Sequence, residues 1–228
     1  MKALTLSALL LAAAGTCAAQ QWEFGAGAGA GFLNHVGVSG APGSGNGGFQ
    51  SGPAVTAYFG QNLYSHLSGE LHYSFMQSNL NLSGGGASAS FAGSAHALDY
   101  ELIVHTNRRA SRVQYFAAFG GGMKIFRGTG KEEAYQPLSQ FGYFTKTQAI
   151  KPMAAVGGGI RFTLSPHVIL RTEFRDYITP FPTEIITPAP GAKFGSLLHD
   201  IVPMVEISYV WTHGEESPTA NTPSRSGN

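Results

Sequence analysis

The sequence predicts an all-β protein, an eight-stranded antiparallel up-and-down transmembrane β-barrel with long external loops and short periplasmic turns. Three observations lead there. First, residues 167–178 alternate strictly, with Val168, Leu170, Thr172 and Phe174 on one face and Arg171, Glu173 and Arg175 on the other. One strand therefore separates an apolar medium from a strongly polar one. Second, the same polarity recurs along the chain in segments spaced as successive antiparallel neighbours. Third, charged residues make up 12% of the chain, about half of the ~25% typical of soluble domains. Water is not the solvent on every side.

The opening segment stands apart from this pattern. Lys2 precedes an apolar run from Ala3 to Ala14, and Thr16-Cys17-Ala18-Ala19 supplies small residues for cleavage after Ala19. Residues 1–19 read as a secretory signal peptide. Its Cys17 is the one cysteine, so the exported chain holds together by burial and hydrogen bonding without a disulfide. No later run approaches the roughly 20 apolar residues of a transmembrane helix. A net charge of +1 argues against a nucleic-acid surface. With 15 Phe, 9 Tyr and 2 Trp, the 31 glycines do not imply a solvated chain.

The strands justify themselves in order. About 22–33 sets Trp22, Phe24, Ala26, Ala28, Ala30 and Phe32 against Glu23 and the glycines at 25, 27, 29 and 31. About 53–61 is the second. The third, about 66–76, shows Leu67, Gly69, Leu71, Tyr73 and Phe75 against Ser68, Glu70, His72 and Ser74. The fourth, about 94–105, places Leu98, Tyr100, Leu102 and Val104 opposite Asp99, Glu101 and His105. The fifth, about 112–126, carries Val113, Tyr115, Ala117, Phe119, Met123 and Ile125, backed by Gln114, Gly120, Gly122 and Lys124. The sixth, about 149–163, sets Ala154, Val156, Ile160 and Phe162 against Ala155, Gly157, Gly159 and Arg161. Residues 167–178 are the seventh, and about 200–211 the eighth. The tail 212–228, rich in Ser, Thr, Pro and Asn, reads as disordered.

Connections alternate in length. Those at roughly 34–52, 77–93, 127–148 and 179–199 are long and rich in Gly, Ser, Pro or Asn, whereas 60–65, 106–111 and 164–166 are tight. Long loops on one side and short turns on the other fit a barrel of the bacterial outer membrane, with the long loops outside the cell. About ten residues at ~3.3 Å, tilted near 40°, project to roughly the 25 Å of the apolar band. In hydrocarbon the strands must close on one another, because a free sheet edge would leave backbone groups unsatisfied.

An eight-strand barrel has an interior just wide enough for side chains. This register aims Glu70, Asp99, Glu101, Glu173 and Glu206 inward together with Lys124, Arg161, Arg171 and Arg175. Five acids against four bases predict a near-neutral luminal ion-pair network, with inward glycines leaving room for the long side chains. Trp22, Phe24, Tyr58, Phe162, Tyr209 and Trp211 suit a periplasmic aromatic girdle, and Phe75, Phe126 and Tyr177 an outer one. Phe116 and Val202 facing inward, Asp176 facing outward and Pro203 within the eighth strand depart from the pattern.

Residues 157–162 (GGGIRF), the turn at 164–167 (LSPH), residues 170–177 (LRTEFRDY) and the closing Tyr209-Val210-Trp211 together resemble the outer membrane protein beta-barrel domains of the OmpA transmembrane-domain type. The resemblance spans 20–211. It implies an outer-membrane location in a diderm bacterium, contact with membrane lipid and lipopolysaccharide, a monomeric state, and a C-terminal strand signal read by the barrel-assembly machinery. Tyr209 and Trp211, two apart, match that signal. The chain departs from the pattern in the 17 residues after Trp211 and in lacking the family's peptidoglycan-binding domain.

Chemistry beyond structure finds little footing. His72-Tyr73-Ser74 resembles the start of the His-x-Ser-Asn motif of lipid A deacylases, but Phe75 replaces the Asn and both polar groups face inward. His66-Leu67-Ser68 sits at a turn. The eight histidines show no metal spacing on one strand face, and no helix follows the glycines at 25–31 to cradle a phosphate. The expectation is therefore no catalytic, cofactor-binding or metal residues. The predicted role is a non-enzymatic barrel supporting envelope integrity or surface interaction, with the loops at Gly40–Ser51 and Arg127–Lys146 as contact candidates. A small passive channel of porin type and a lipid A-modifying enzyme acting through His72 and Ser74 are the alternatives. A soluble lipocalin-like carrier would also close eight strands, with the apolar face inward.

Overall fold

The computed structural model describes residues 21–40, 43–64, 66–106, 111–128, 136–145 and 148–211; residues 1–19, read as a signal peptide, and 212–228, read as a tail, lie outside them. The strands follow as β1 (Trp22–Leu33), β2 (His35–Gly40), β3 (Gly43–Phe49), β4 (Gly52–Asn62), β5 (Leu67–Gln77), β6 (Leu80–Gly84), β7 (Ala87–Phe91), β8 (Gly93–His105), β9 (Val113–Gly128), β10 (Gly142–Phe144), β11 (Gln148–Ser165), β12 (Val168–Pro180), β13 (Ile186–Pro188), β14 (Lys193–Phe194) and β15 (Leu197–Trp211). Eight of them close a barrel in the order β1-β15-β12-β11-β9-β8-β5-β4. Every barrel pair is antiparallel, and the ring closes where Trp22 lies opposite Gln61 on β4 and opposite Trp211 on β15.

The wall has the polarity that the alternation predicts. Phe24, Val55, Leu71, Tyr115, Phe174 and Val205 face outward and are exposed, whereas Arg171 and Arg175 inside are fully buried. A lipocalin would have the reverse. The apolar ring is stable only against hydrocarbon, and the backbone needs no water because no barrel strand has a free edge.

Much of the described length of the long connections is strand. Residues read as Gly- and Ser-rich turns form β2, β3, β6 and β7, which join β14 in a five-stranded sheet of order β14-β2-β3-β6-β7. The composition hid these strands because Gly, Ser and Asn are poor strand formers. Their burial alternates all the same: Val36, Val38, Leu82 and Ala89 pack beneath the sheet while Ser39, Ser44, Asn46 and Ser88 stay exposed. β10 and β13 pair separately.

The outer half of the lumen is apolar. Leu33, Phe49, Met76, Phe126, Met153, Leu198 and Met204 are buried there and form one core with Val38, Leu80 and Phe144 of the external strands. β11 alone has 18 residues, which at ~3.3 Å per residue and ~40° tilt rises about 45 Å, well beyond the ~25 Å lipid band. The barrel wall thus continues outside the membrane, and the external sheet extends it, with β14, β2, β3, β6 and β7 adjoining β15, β1, β4, β5 and β8 in the same order.

Three girdle assignments need correction. Tyr58, Phe126 and Tyr177 lie inside, each at most 2% exposed, because they share the inward parity of Thr56, Lys124 and Arg175. Of the misfits, Val202 belongs to the apolar tier, and Phe116 forms a small cluster with Ile103 and Ala118. Asp176 pairs with His199 at 2.9 Å on the outer wall. Pro203 sits opposite Phe174.

Candidate functional site

Below the apolar tier the lumen fills with charge. Glu70, Asp99, Glu101, Lys124, Arg161, Arg171, Glu173, Arg175 and Glu206 are all buried there. Arg171 is the hub. Its Nη1 donates to both carboxylate oxygens of Glu70 at 3.0 and 2.8 Å, and its Nε donates to Glu173 and lies 3.2 Å from Glu206. The guanidinium plane is held between the rings of Tyr58 and Phe116, 4.5 and 4.6 Å from their centroids. Arg175 donates through Nε to both oxygens of Glu101 at 2.8 and 2.7 Å and bridges to Glu173. Each pair is charge-assisted and water-excluded, where such bonds are strong.

Two acids were missed by the sequence reading. Glu23 accepts from Tyr58 at 2.9 Å and Ser208 at 2.7 Å and pairs with Arg161. Asp200 pairs with Lys124. The alternation already aimed both inward: Glu23 was masked by the glycines around it, and Asp200 sits where a loop was expected to end. Among the described residues, seven luminal acids therefore face four bases, two acids more than the sequence reading counted. The surplus shows in the geometry, since both oxygens of Asp99 and both of Glu206 lack a hydrogen-bond partner.

Several inward glycines lie opposite these charges. Across the ladder Gly122 faces Asp99, Gly120 faces Glu101, Gly157 faces Arg175, Gly159 faces Glu173 and Gly27 faces Glu206. A Cβ on Gly159 would lie 2.2 Å from the carbonyl of Thr172 and 2.8 Å from Cβ of Glu173. Glycine there lets a charged neighbour lean across the lumen.

His72 and Ser74 are fully buried. His72 Nε2 lies 2.9 Å from Glu70 and 3.1 Å from Arg175, and Ser74 is 3.2 Å from Thr56 and 3.1 Å from Tyr177. Neither meets the lipid face. Tyr209 and Trp211, the assembly-signal candidates, are exposed on the outer wall, and Tyr209 stacks on His167 of the β11–β12 turn at 5.6 Å. Toward the periplasm, a cavity of about 340 Å³ opens between Gln21, Asn62, Gln114, Arg161 and Thr163.

A closed eight-strand antiparallel wall, apolar outside and ion-paired inside, defines the eight-stranded outer-membrane β-barrel fold. Among solved structures, the chain is similar to the outer membrane protein OprG of Pseudomonas aeruginosa, with a TM-score of 0.60 at 10% identity over 86% of this chain and 97% of that one. It also matches a major outer membrane protein of Thermus thermophilus (TM-score 0.48, 13% identity, 85% and 100% covered) and Neisserial surface protein A (0.46, 12%, 83% and 96%). The OprG likeness shows the fold. No protein-family model and no curated protein sequence matches the chain.

Proposed function

We propose that this protein is a non-enzymatic, monomeric outer-membrane barrel that supports the envelope and presents its external sheet as an interaction surface. The carrying observation is the sealed lumen. An apolar core fills the outer half and a packed ion network the inner half, which leaves rigidity and an outer surface as the features selection can use. That surface is built, with a concave hollow of about 850 Å³ on the external sheet lined by Ser39, Ser44, Asn46, Ser83 and Ser88 and by no charged side chain. Lipid and lipopolysaccharide are the expected neighbours of the apolar ring, and the barrel-assembly machinery the reader of Tyr209 and Trp211. The inward burial of His72 and Ser74 counts against lipid A chemistry.

The test joins two measurements on protein refolded in detergent and reconstituted in planar bilayers. A scaffold gives no conductance steps, and replacing the hollow's serines and Asn46 by lysine removes surface binding of the chain to intact cells or envelope fragments. Regular conductance that changes in Arg171→Met would instead establish the passive channel.

A further inference from the structure

The charge surplus is concentrated in one layer. Lys124 pairs with Asp200 and Arg161 with Glu23. What remains around Arg171 and Arg175 is five carboxylates, Glu70, Asp99, Glu101, Glu173 and Glu206, all buried. With every acid ionised, three negative charges are left over in a medium that does not tolerate them, because an uncompensated buried ion is strongly unfavourable.

Within that layer, one imidazole nitrogen of His72 and one carboxylate oxygen each from Glu173 and Glu206 lie within 4.8 Å of one another. Glu206 is 1% exposed, yet neither of its oxygens has a hydrogen-bond partner, and His72 Nδ1 is equally without one. Ligands about 2.1 Å from a tetrahedral ion stand roughly 3.4 Å apart, so side-chain rotations alone bring these groups to coordination distance.

We propose that His72, Glu173 and Glu206 bind a divalent first-row transition cation, with Zn²⁺ as the best match. An imidazole nitrogen combined with carboxylate oxygens suits such ions better than Mg²⁺ or Ca²⁺, which take oxygen almost exclusively. The ion's two charges offset two of the layer's three surplus charges. Arg171 and Arg175, already bonded to Glu173 and beside Glu206, become the outer shell that orients the ligating carboxylates. β5 stands across the ring from β12, so the ion ties opposite walls of the barrel through residues no strand could supply alone. No single-strand spacing reveals this site, because its three ligands come from three staves.

The experiment takes the full chain refolded in detergent, strips it with a chelator and titrates it with Zn²⁺, Co²⁺ and Mg²⁺. Titration calorimetry reads the affinity, and the visible absorption of Co²⁺ reads coordination by nitrogen and oxygen. About one Zn²⁺ per chain is expected, with no comparable Mg²⁺ binding. His72→Ala and Glu206→Gln each weaken it by roughly tenfold or more; heat-modifiable gel migration verifies that both variants still fold. Glu184→Gln, outside the barrel lumen and half exposed, leaves affinity unchanged. Zn²⁺ binding that is absent, or equal in His72→Ala and Glu206→Gln to that of the parent chain, overturns the proposal and leaves protons as the balancing charge. A variant that does not fold is replaced by His72→Gln, judged by the same criterion.

Discussion

Arg171→Met is the sharpest perturbation of the lumen. Methionine retains much of the arginine stem's packing between Tyr58 and Phe116, so the change isolates the charge. It removes the paired bonds to Glu70, the bond to Glu173 and the cation 3.2 Å from Glu206. Three buried carboxylates lose a partner, and Glu173 keeps only Arg175. Breaking a buried ion pair by deleting one member costs about 3–5 kcal/mol, and loss of two desolvated cation–π faces adds on the order of 1 kcal/mol. A destabilisation of about 4–6 kcal/mol follows. The assay is urea unfolding in phospholipid vesicles followed by tryptophan fluorescence. Trp22 and Trp211 lie opposite each other across the β1–β15 seam, so their signal reports barrel opening. Arg171→Met/Glu70→Gln, which neutralises the acid that loses most, recovers at least about 1 kcal/mol. A loss below about 1 kcal/mol for the single variant would show that water reaches the layer, and the account of a sealed, mutually dependent network would be wrong.

Other expectations follow from the same geometry. Asp99→Asn removes a buried charge whose oxygens have no hydrogen-bond partner, so the urea midpoint should stay level or rise, by up to about 2 kcal/mol in stability. Gly159→Val sets a branched side chain where even a Cβ meets the Thr172 carbonyl at 2.2 Å; the folded, fast-migrating gel band should be lost, whereas the same change at Gly37, where a Cβ meets nothing within 4 Å, should leave it. Outside the membrane, the hydrogen bond from Lys151 at 2.7 Å holds the Glu184 carboxyl below its usual range. That contribution is present above the ordinary carboxylate value and is lost as pH falls through the lowered one. Because Glu184 is half exposed, Glu184→Gln should cost no more than about 0.5 kcal/mol at neutral pH, and paired urea titrations should show the difference closing in acid.

Much of the wall was legible in the sequence for a physical reason. A strand between lipid and a polar interior must alternate, and slipping it by one residue would put Arg171 and Arg175 into hydrocarbon at roughly 2–4 kcal/mol each. The pattern therefore carries both the strand boundaries and the register. β2, β3, β6 and β7 carry no such constraint: their outer face meets water and their inner face needs only small apolar groups, so Gly-Ser-Asn sequences suffice and read as loops. The apolar upper lumen was hidden similarly, since Ala54, Ala95, Ala97 and Ala155 look neutral in a sequence. The inward aim of the nine charged candidates followed from parity, but their partners did not: Arg171 meets Glu70 across the lumen, 101 positions away, and closure alone brings them together.

The pairing of glycine with charge explains why this lumen can hold so many long side chains. In an eight-strand barrel every inward position competes for one narrow core, and a charged residue on each stave would collide with its neighbours. Here Gly120 and Gly122 on β9 lie beside Glu101 and Asp99 on β8, and Gly157 and Gly159 on β11 lie beside Arg175 and Glu173 on β12. Charged staves come in adjacent pairs, β15–β12 and β8–β5, with the glycine-bearing pair β11–β9 between β12 and β8, so charged groups extend over a neighbour's empty face toward a partner on a distant wall. The cost is backbone flexibility in β9 and β11, since glycine weakens a strand. Cross-lumen ion pairs offset it by fixing the two glycine staves between walls that are tied to each other. Stability of the glycine-rich half of the barrel thus depends on charges carried by β5, β8 and β12, and a luminal substitution there should loosen β9 and β11 as much as the strand that bears it.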